Sequence, residues 1–265
     1  MTAALLEEHT ARDGAAPLTP ASNSAWGGWE PPAVATTLVA ASHGTNSPAG
    51  QRAIAELVSA VAAARPEVPV APAFVDVQEP DVGTVLRAAG GKPRIVPLLL
   101  STGFHTRHDL AGSAAGAPGT TVSRALGPDP RLAVVLERRL AEAGFRRGDQ
   151  VILACAGSTD AQGVADCHAM ARLLSDRLGT TVETSFVSAA TPSVGEAVRR
   201  AGARSRRRWF ARGRVVVSTY LMAPGHFAAL VAGSGADVVS QPLLVPGTDV
   251  PNELVDLVLE RFDRL

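Results

Sequence analysis

Two histidines stand directly behind apolar runs, each in a short polar or glycine-bearing stretch. His43 lies in Ser42-His43-Gly44-Thr45 after the run 37–41, and His105 lies in Gly103-Phe104-His105-Thr106-Arg107-His108-Asp109 after the run 94–100. A carboxylate, Asp76, follows a third such run at 70–75. Neutral imidazole and carboxylate are ordinary ligands for Fe2+, Co2+, Ni2+ and Zn2+. Three protein ligands with open coordination positions describe a site that hands a metal on. A neutral imidazole can also accept a proton. Singly, each residue also fits a structural role. His43 could cap the helix after it, Asp76 could serve a turn, and His105 could fill the first turn of a helix. His108 and Asp109 read as facing solvent or a loop, and His9 and His168 have no supporting context. The case for chemistry therefore depends on whether the fold brings these positions together.

The elements around them alternate. The apolar run 37–41 reads as a buried strand. Pro48 then opens a helix on which Ile54, Leu57, Val58 and Val61 recur at helical spacing, and Pro66 stops it. A strand at 70–75 is followed by a helix after Pro80 that closes at Gly90-Gly91. A strand at 94–100, a weak strand near 120–125 and a helix from Pro130 complete the unit. Strands alternating with helices predict an α/β fold with a parallel sheet covered on both faces. In such sheets ligands bind at the carboxyl ends of the strands, where His43, Asp76 and the His105 stretch all fall.

The unit occurs twice. Phe74 and Phe186, Pro80 and Pro192, and Gly90 and Gly202 are each separated by 112 residues. His105 and His226 are 121 apart, which places an insertion of about nine residues between Gly202 and Gly213. The chain reads as two tandem similar domains, 34–146 and 147–265, around a central cleft, preceded by a proline-punctuated tail, 1–33, expected to be disordered. The second copy has lost most of the polar set. Ala156 stands for His43 and Ser188 for Asp76, and only His226 matches His105. One active site is expected, in the N-terminal domain.

Composition narrows the function classes. Twenty-five basic and 25 acidic residues leave no net charge, and aromatics are 4% of the chain, so neither a basic nor a base-stacking surface for nucleic acid is expected. No GxGxxG or Walker pattern stands at the strand–helix turns, which argues against phosphate cradling. Two cysteines, Cys155 and Cys167, are too few for a structural zinc site and are expected as buried free thiols. No stretch reads as a signal peptide or membrane span, so a cytoplasmic protein is expected.

Three segments carry a family resemblance. Residues 38–45 (LVAASHGT), 74–80 (FVDVQEP) and 97–110 (PLLLSTGFHTRHDL) resemble, in order and spacing, the motifs of the sirohydrochlorin chelatases, which are class II tetrapyrrole chelatases. The likeness covers 36–145, and more weakly 150–265. It implies two lobes around a cleft and insertion of Fe2+, or alternatively Co2+, into sirohydrochlorin, with the metal as substrate and no permanently bound cofactor. Carried over, His43 and His105 match the metal-handling histidines, with Asp76 as a third catalytic group. Ser42, Gly44, Thr45, Gly103, Arg107 and His226 are the expected substrate contacts. Two positions depart from the family pattern: Asp76 stands where the family has glutamate, and Asn46 where it often has arginine. Arg52 and the basic run Arg204-Ser205-Arg206-Arg207-Arg208 are further candidates for meeting the substrate's carboxylates. The expected partners are sirohydrochlorin and a divalent metal, without nucleic acid or membrane, in a monomer or homodimer. A cobaltochelatase and a non-catalytic metal or tetrapyrrole carrier are the competing readings.

Overall fold

The structure is a computed structural model. It describes residues 36–89, 91–101, 104–207 and 213–265, with the side chains of 104–109 and 206–207 outside the description. The tail expected at 1–33 lies outside the described residues.

Strands form where the sequence is continuously apolar. β1 (Leu38–Ser42), β2 (Val70–Phe74), β3 (Arg94–Pro97) and β4 (Thr121–Val122) pair in parallel as a four-stranded sheet of order β2-β1-β3-β4. β5 (Gln150–Cys155), β6 (Val182–Phe186), β7 (Val215–Tyr220) and β8 (Val238–Val239) repeat it as β6-β5-β7-β8. The duplication read from residue spacing is therefore a duplication of topology. It extends to single bonds: Phe74 N–H donates to the Pro80 carbonyl, and Phe186 N–H to that of Pro192, both at 3.0 Å.

The helices are α1 (Pro48–Ala64), α2 (Val82–Ala89), α3 (Phe104–Ala115), α4 (Pro130–Glu142), α5 (Ala161–Leu178), α6 (Val194–Arg207), α7 (His226–Ala232) and α8 (Asn252–Asp263). α1 begins as its sequence dictates: Pro48 needs no N–H partner, and Ser47 Oγ accepts the Gly50 N–H at 3.3 Å. Asp129 and Pro130 open α4 the same way. α3 is the element that periodicity did not reveal. Its stretch FHTRHDLAGSAA is polar and glycine-bearing. Leu110 anchors it to the sheet, packed with Val39, Ala41 and Ile95.

Strand alternation divides the core into three layers. Leu38, Ala40, Val151, Leu153 and Tyr220 face one central cluster shared by α1, α4, α5 and α8. Val39, Ala41 and Ile95 face α2 and α3. Ile152, Ala154 and Val217 face α6. Inside the central layer two helices are exchanged. α4, from the first half of the chain, packs on α5 and β7, whereas α8, from the end of the chain, packs on α1, α4 and β3.

Candidate active site

Parallel strands lie about 4.8 Å apart. In the order β2-β1-β3-β4 the chain leaves β1 towards opposite sides, through β2 and β3. That is a topological switch point, where a crevice opens at the strands' carboxyl ends. His43 is the first residue beyond β1 and is exposed. Residue 105 lies in the first turn of α3, reached from the end of β3, where the N–H of Leu98, the next residue, donates to the Ala41 carbonyl of β1 at 2.7 Å. The backbone thus sets His43 and His105 on adjacent strand exits. The side chains of His105 and Arg107, and the whole of Gly103, lie outside the described residues.

Asp76 is tied to His43 by the main chain. Val75 N–H donates to the Ser42 carbonyl at 2.9 Å, and Asp76 N–H donates to that of His43 at 3.0 Å. Between them Gly44 has φ +92, and a Cβ there would sit 2.0 Å from the Asp76 carbonyl oxygen. Glycine is required both by the left-handed conformation and by the close approach. The Asp76 carboxylate is exposed and uses Oδ1 to accept its neighbour Val77 N–H at 2.8 Å. It therefore does serve the turn, as one sequence reading allowed, while standing beside the histidine loop. Gln78, which no motif argument singled out, completes the clasp: its Oε1 accepts the Thr45 N–H at 2.8 Å.

The remaining expected contacts fall unevenly. Ser42 is buried, and its Oγ has no partner among the described residues, so it lies beneath the crevice and not in its wall. The cause is strand alternation: Leu38, Ala40 and Ser42 share the inward face of β1. Thr45 is half-buried and builds the loop, since its Oγ1 accepts the Ser47 N–H and its carbonyl accepts from Gln51 Nε2. His226, by contrast, is exposed as the first residue of α7. The other lobe is close here. A Cβ on Gly50 would lie 2.4 Å from the Pro224 carbonyl oxygen, and one on Gly225 would lie 3.5 Å from Thr45 Oγ1. The two loops that carry His43 and His226 therefore touch.

Of the basic candidates, Arg204 and Arg52 have partners or surroundings elsewhere, and the side chains of Arg206 and Arg207 and the whole of Arg208 lie outside the described residues. Arg204 pairs with Glu183 at the start of β6, and Ser205 Oγ donates to the Gly213 carbonyl just before β7. The end of α6 that carries the basic run is thus anchored at the amino end of the sheet, opposite the crevice. A helix that connects two parallel strands must run back across the sheet, so its carboxyl end arrives at the far edge. Arg52 lines a groove between α1 and the segment 248–253.

Beneath the crevice the lobes meet on uncharged polar groups. Tyr220 Oη donates to the Leu100 carbonyl at 2.8 Å, and burial pushes its phenol well up. Cys155 and Cys167 are free, buried thiols, as expected. Burial, together with its neighbour Cys167, raises Cys155. Among the described residues no three His, Cys, Asp or Glu side chains converge as a preformed metal cluster.

In the second lobe the same backbone carries different side chains. Ser188 N–H donates to the Ala156 carbonyl at 3.1 Å, and Gly157 has φ +97 with its Cβ position 1.8 Å from the Ser188 carbonyl oxygen. Ala156 and Ser188 therefore occupy the places of His43 and Asp76, and neither replacement offers an imidazole or carboxylate.

A family model described as CbiX matches residues 37–143 and 150–229, both lobes with their site loops. The chain belongs to the CbiX family. This is the family of sirohydrochlorin chelatases, here in its two-domain form. Solved structures share the fold. SirB from Bacillus subtilis with Fe3+ is 21% identical with a TM-score of 0.69, covering 87% of this chain and 95% of that one. SirB from Bacillus subtilis subspecies spizizenii in complex with cobalt is 19% identical with a TM-score of 0.66, covering 87% and 94%. A CbiX described as the terminal enzyme for siroheme biosynthesis in denitrifying bacteria is 19% identical with a TM-score of 0.58, covering 84% and 98%. A comparison with curated proteins found no match. The shared fold accounts for both four-stranded parallel sheets.

Proposed function

We propose that this chain inserts Fe2+ into sirohydrochlorin to give siroheme, with a single active site on the N-terminal lobe. The observation that carries the reading is the clasped pair of loops that follow β1 and β2, with exposed His43 and Asp76 in one lobe and Ala156 and Ser188 at the same backbone positions in the other. Insertion releases two protons from the pyrrole nitrogens as the metal loses its water. His43 and His105 would flank the macrocycle centre, one delivering the metal and the other taking protons. Asp76 would act as ligand, proton relay or orienting group for an imidazole. His226 would face the ring from the opposite loop.

Iron is favoured by the CbiX relative described as terminal enzyme of siroheme biosynthesis, and cobalt by SirB in complex with that metal. Ligand type does not separate the two metals, so competition between Fe2+ and Co2+ in one assay decides. A cytoplasmic setting is part of this proposal. Among the described residues no helix is long and apolar enough to cross a membrane.

The test is metallation of sirohydrochlorin followed by absorbance. Wild type should exceed the spontaneous rate, and His43→Ala and His105→Ala should each lower kcat/KM by about 10²–10⁴. Metallation by wild type no faster than the uncatalysed reaction rejects the enzyme. Binding of metal and ring without turnover would instead support the carrier.

A further inference from the structure

Among the described residues three large apolar side chains are exposed: Val77 at 46%, Phe227 at 37% and Leu230 at 50%. All three follow the carboxyl ends of strands, Val77 after β2 and Phe227 and Leu230 after β7. Val77 is the tip of the turn between Asp76 and Gln78, and Gln78 holds the Thr45 N–H. Thr45 in turn meets Gly225, the residue before His226. Phe227 and Leu230 lie on α7, three residues apart and so on one helix face. The Phe227 ring lies beside that of His226, with centroids 6.1 Å apart and planes inclined by 50°.

Two features show that these side chains are not incidental. First, Val77 has φ +65. A β-branched residue in the left-handed region is sterically costly, and such outliers gather where function requires them. The matching turn of the second lobe has the same geometry, φ +58, but carries the smaller Ala189. Secondly, the spacing of 121 residues that aligns His226 with His105 sets Phe227 against Thr106 and Leu230 against Asp109. The helix start facing the histidine loop from the C-terminal lobe has apolar groups where its counterpart has polar ones.

We propose that Val77, Phe227 and Leu230 form the apolar surface that receives the flat face of the tetrapyrrole, so that the C-terminal lobe positions the ring while the N-terminal lobe performs the chemistry. This rests on the function proposed above. A conjugated macrocycle with acids on its rim has an apolar face and a charged edge. Side chains that stand beside Asp76 and His226 suit that face, whereas a stable protein–protein interface needs about 1,200–2,000 Å² of buried surface. Phe227 supplies a ring for stacking, and Leu230 and Val77 supply dispersion contacts. These residues are positioning groups and take no part in the proton or metal transfers.

The experiment uses the full chain and sirohydrochlorin, with affinity measured by absorbance titration without metal and KM and kcat measured with Fe2+. Phe227→Ala and Leu230→Ala should each raise Kd and KM about tenfold, with the larger effect on KM than on kcat. Leu230, half exposed, should lose little melting temperature on truncation, and Phe227, 37% exposed, somewhat more, so affinity is read at a temperature where both variants are folded. Val77→Gly separates strain from function: it should raise Tm by about 2–4 °C while weakening sirohydrochlorin binding. The proposal is overturned if wild type metallates the ring and all three variants bind it as tightly. It is also overturned if their only effect is on self-association in sedimentation, which would assign the surface to a second copy of the chain. A wild type that neither binds nor metallates sirohydrochlorin overturns the functional reading, and this proposal with it.

Discussion

At the scale of single residues, the site depends on backbone clasps as much as on side chains. His43 presents an exposed ring from a loop whose carbonyl is bonded by Asp76 N–H and whose next residue must be glycine. Asp76 has a structural job in its turn and a proposed chemical one, and one substitution separates them. Asp76→Asn keeps an oxygen for the Val77 N–H, so the turn and the melting temperature should survive. The carboxylate charge is lost, and if that charge relays protons or holds metal, kcat should fall at least about tenfold. Unchanged kcat in the absorbance assay would leave Asp76 as a turn residue alone. His43, Gly44 and Asp76 were legible in the sequence because strand-end polar residues in a parallel sheet have few places to go. The burial of Ser42 was not, because a strand's last residue can face either the core or the cleft, and only the register with its neighbours decides.

At the scale of elements, the basic run is the instructive case. Its composition invites a role with an acidic substrate, yet Arg204 and Ser205 at its start are held at the amino end of the sheet. Replacing Arg206, Arg207 and Arg208 with alanine should therefore leave KM for sirohydrochlorin within about twofold of wild type, in contrast to the Phe227 and Leu230 variants. α8 shows the opposite kind of importance, structural and invisible to motif reading. Its Arg261 is 1% exposed and donates to the Ala125 and Leu126 carbonyls as well as to Asp129. Arg261→Ala leaves these acceptors buried and unpaired and should cost about 3 kcal/mol in urea unfolding. α3 escaped the periodicity argument because one anchor, Leu110, suffices to dock a polar helix on a sheet that is already formed.

At the scale of the whole molecule, the halves are interlocked by the exchange of α4 and α8. Asp129 caps α4 and joins Arg131 to Arg261 of α8. Burial acts to raise its carboxyl, but the hydrogen bonds and charge of Arg131, with Arg261, outweigh it and hold the group below the usual carboxylate range. The folded pKa is thus lower than the unfolded one. The stabilisation is complete above the unfolded value, about 4, and is lost as pH falls through the depressed folded value. The urea midpoint should decline below about pH 4, and Asp129→Asn should flatten that decline. A variant with the wild-type slope would remove Asp129 from the account.

The sequence alone determined the alternation of strands and helices, the doubling at constant spacing, the loss of the polar set in the second copy and the family. Each of these is written locally, in periodicity, turn residues and short motifs, and needs no knowledge of distant contacts. Only the tertiary structure decided which helix covers which sheet, that Arg204 and Ser205 are held at the amino end of the second sheet, that Ser42 is buried, and that the Thr45 loop meets the loop leading to α7. These depend on strand order, on the direction in which each crossover returns and on contacts between residues more than a hundred positions apart, such as Tyr220 with Leu100. Packing between elements fixes them, and no stretch of sequence read by itself contains it.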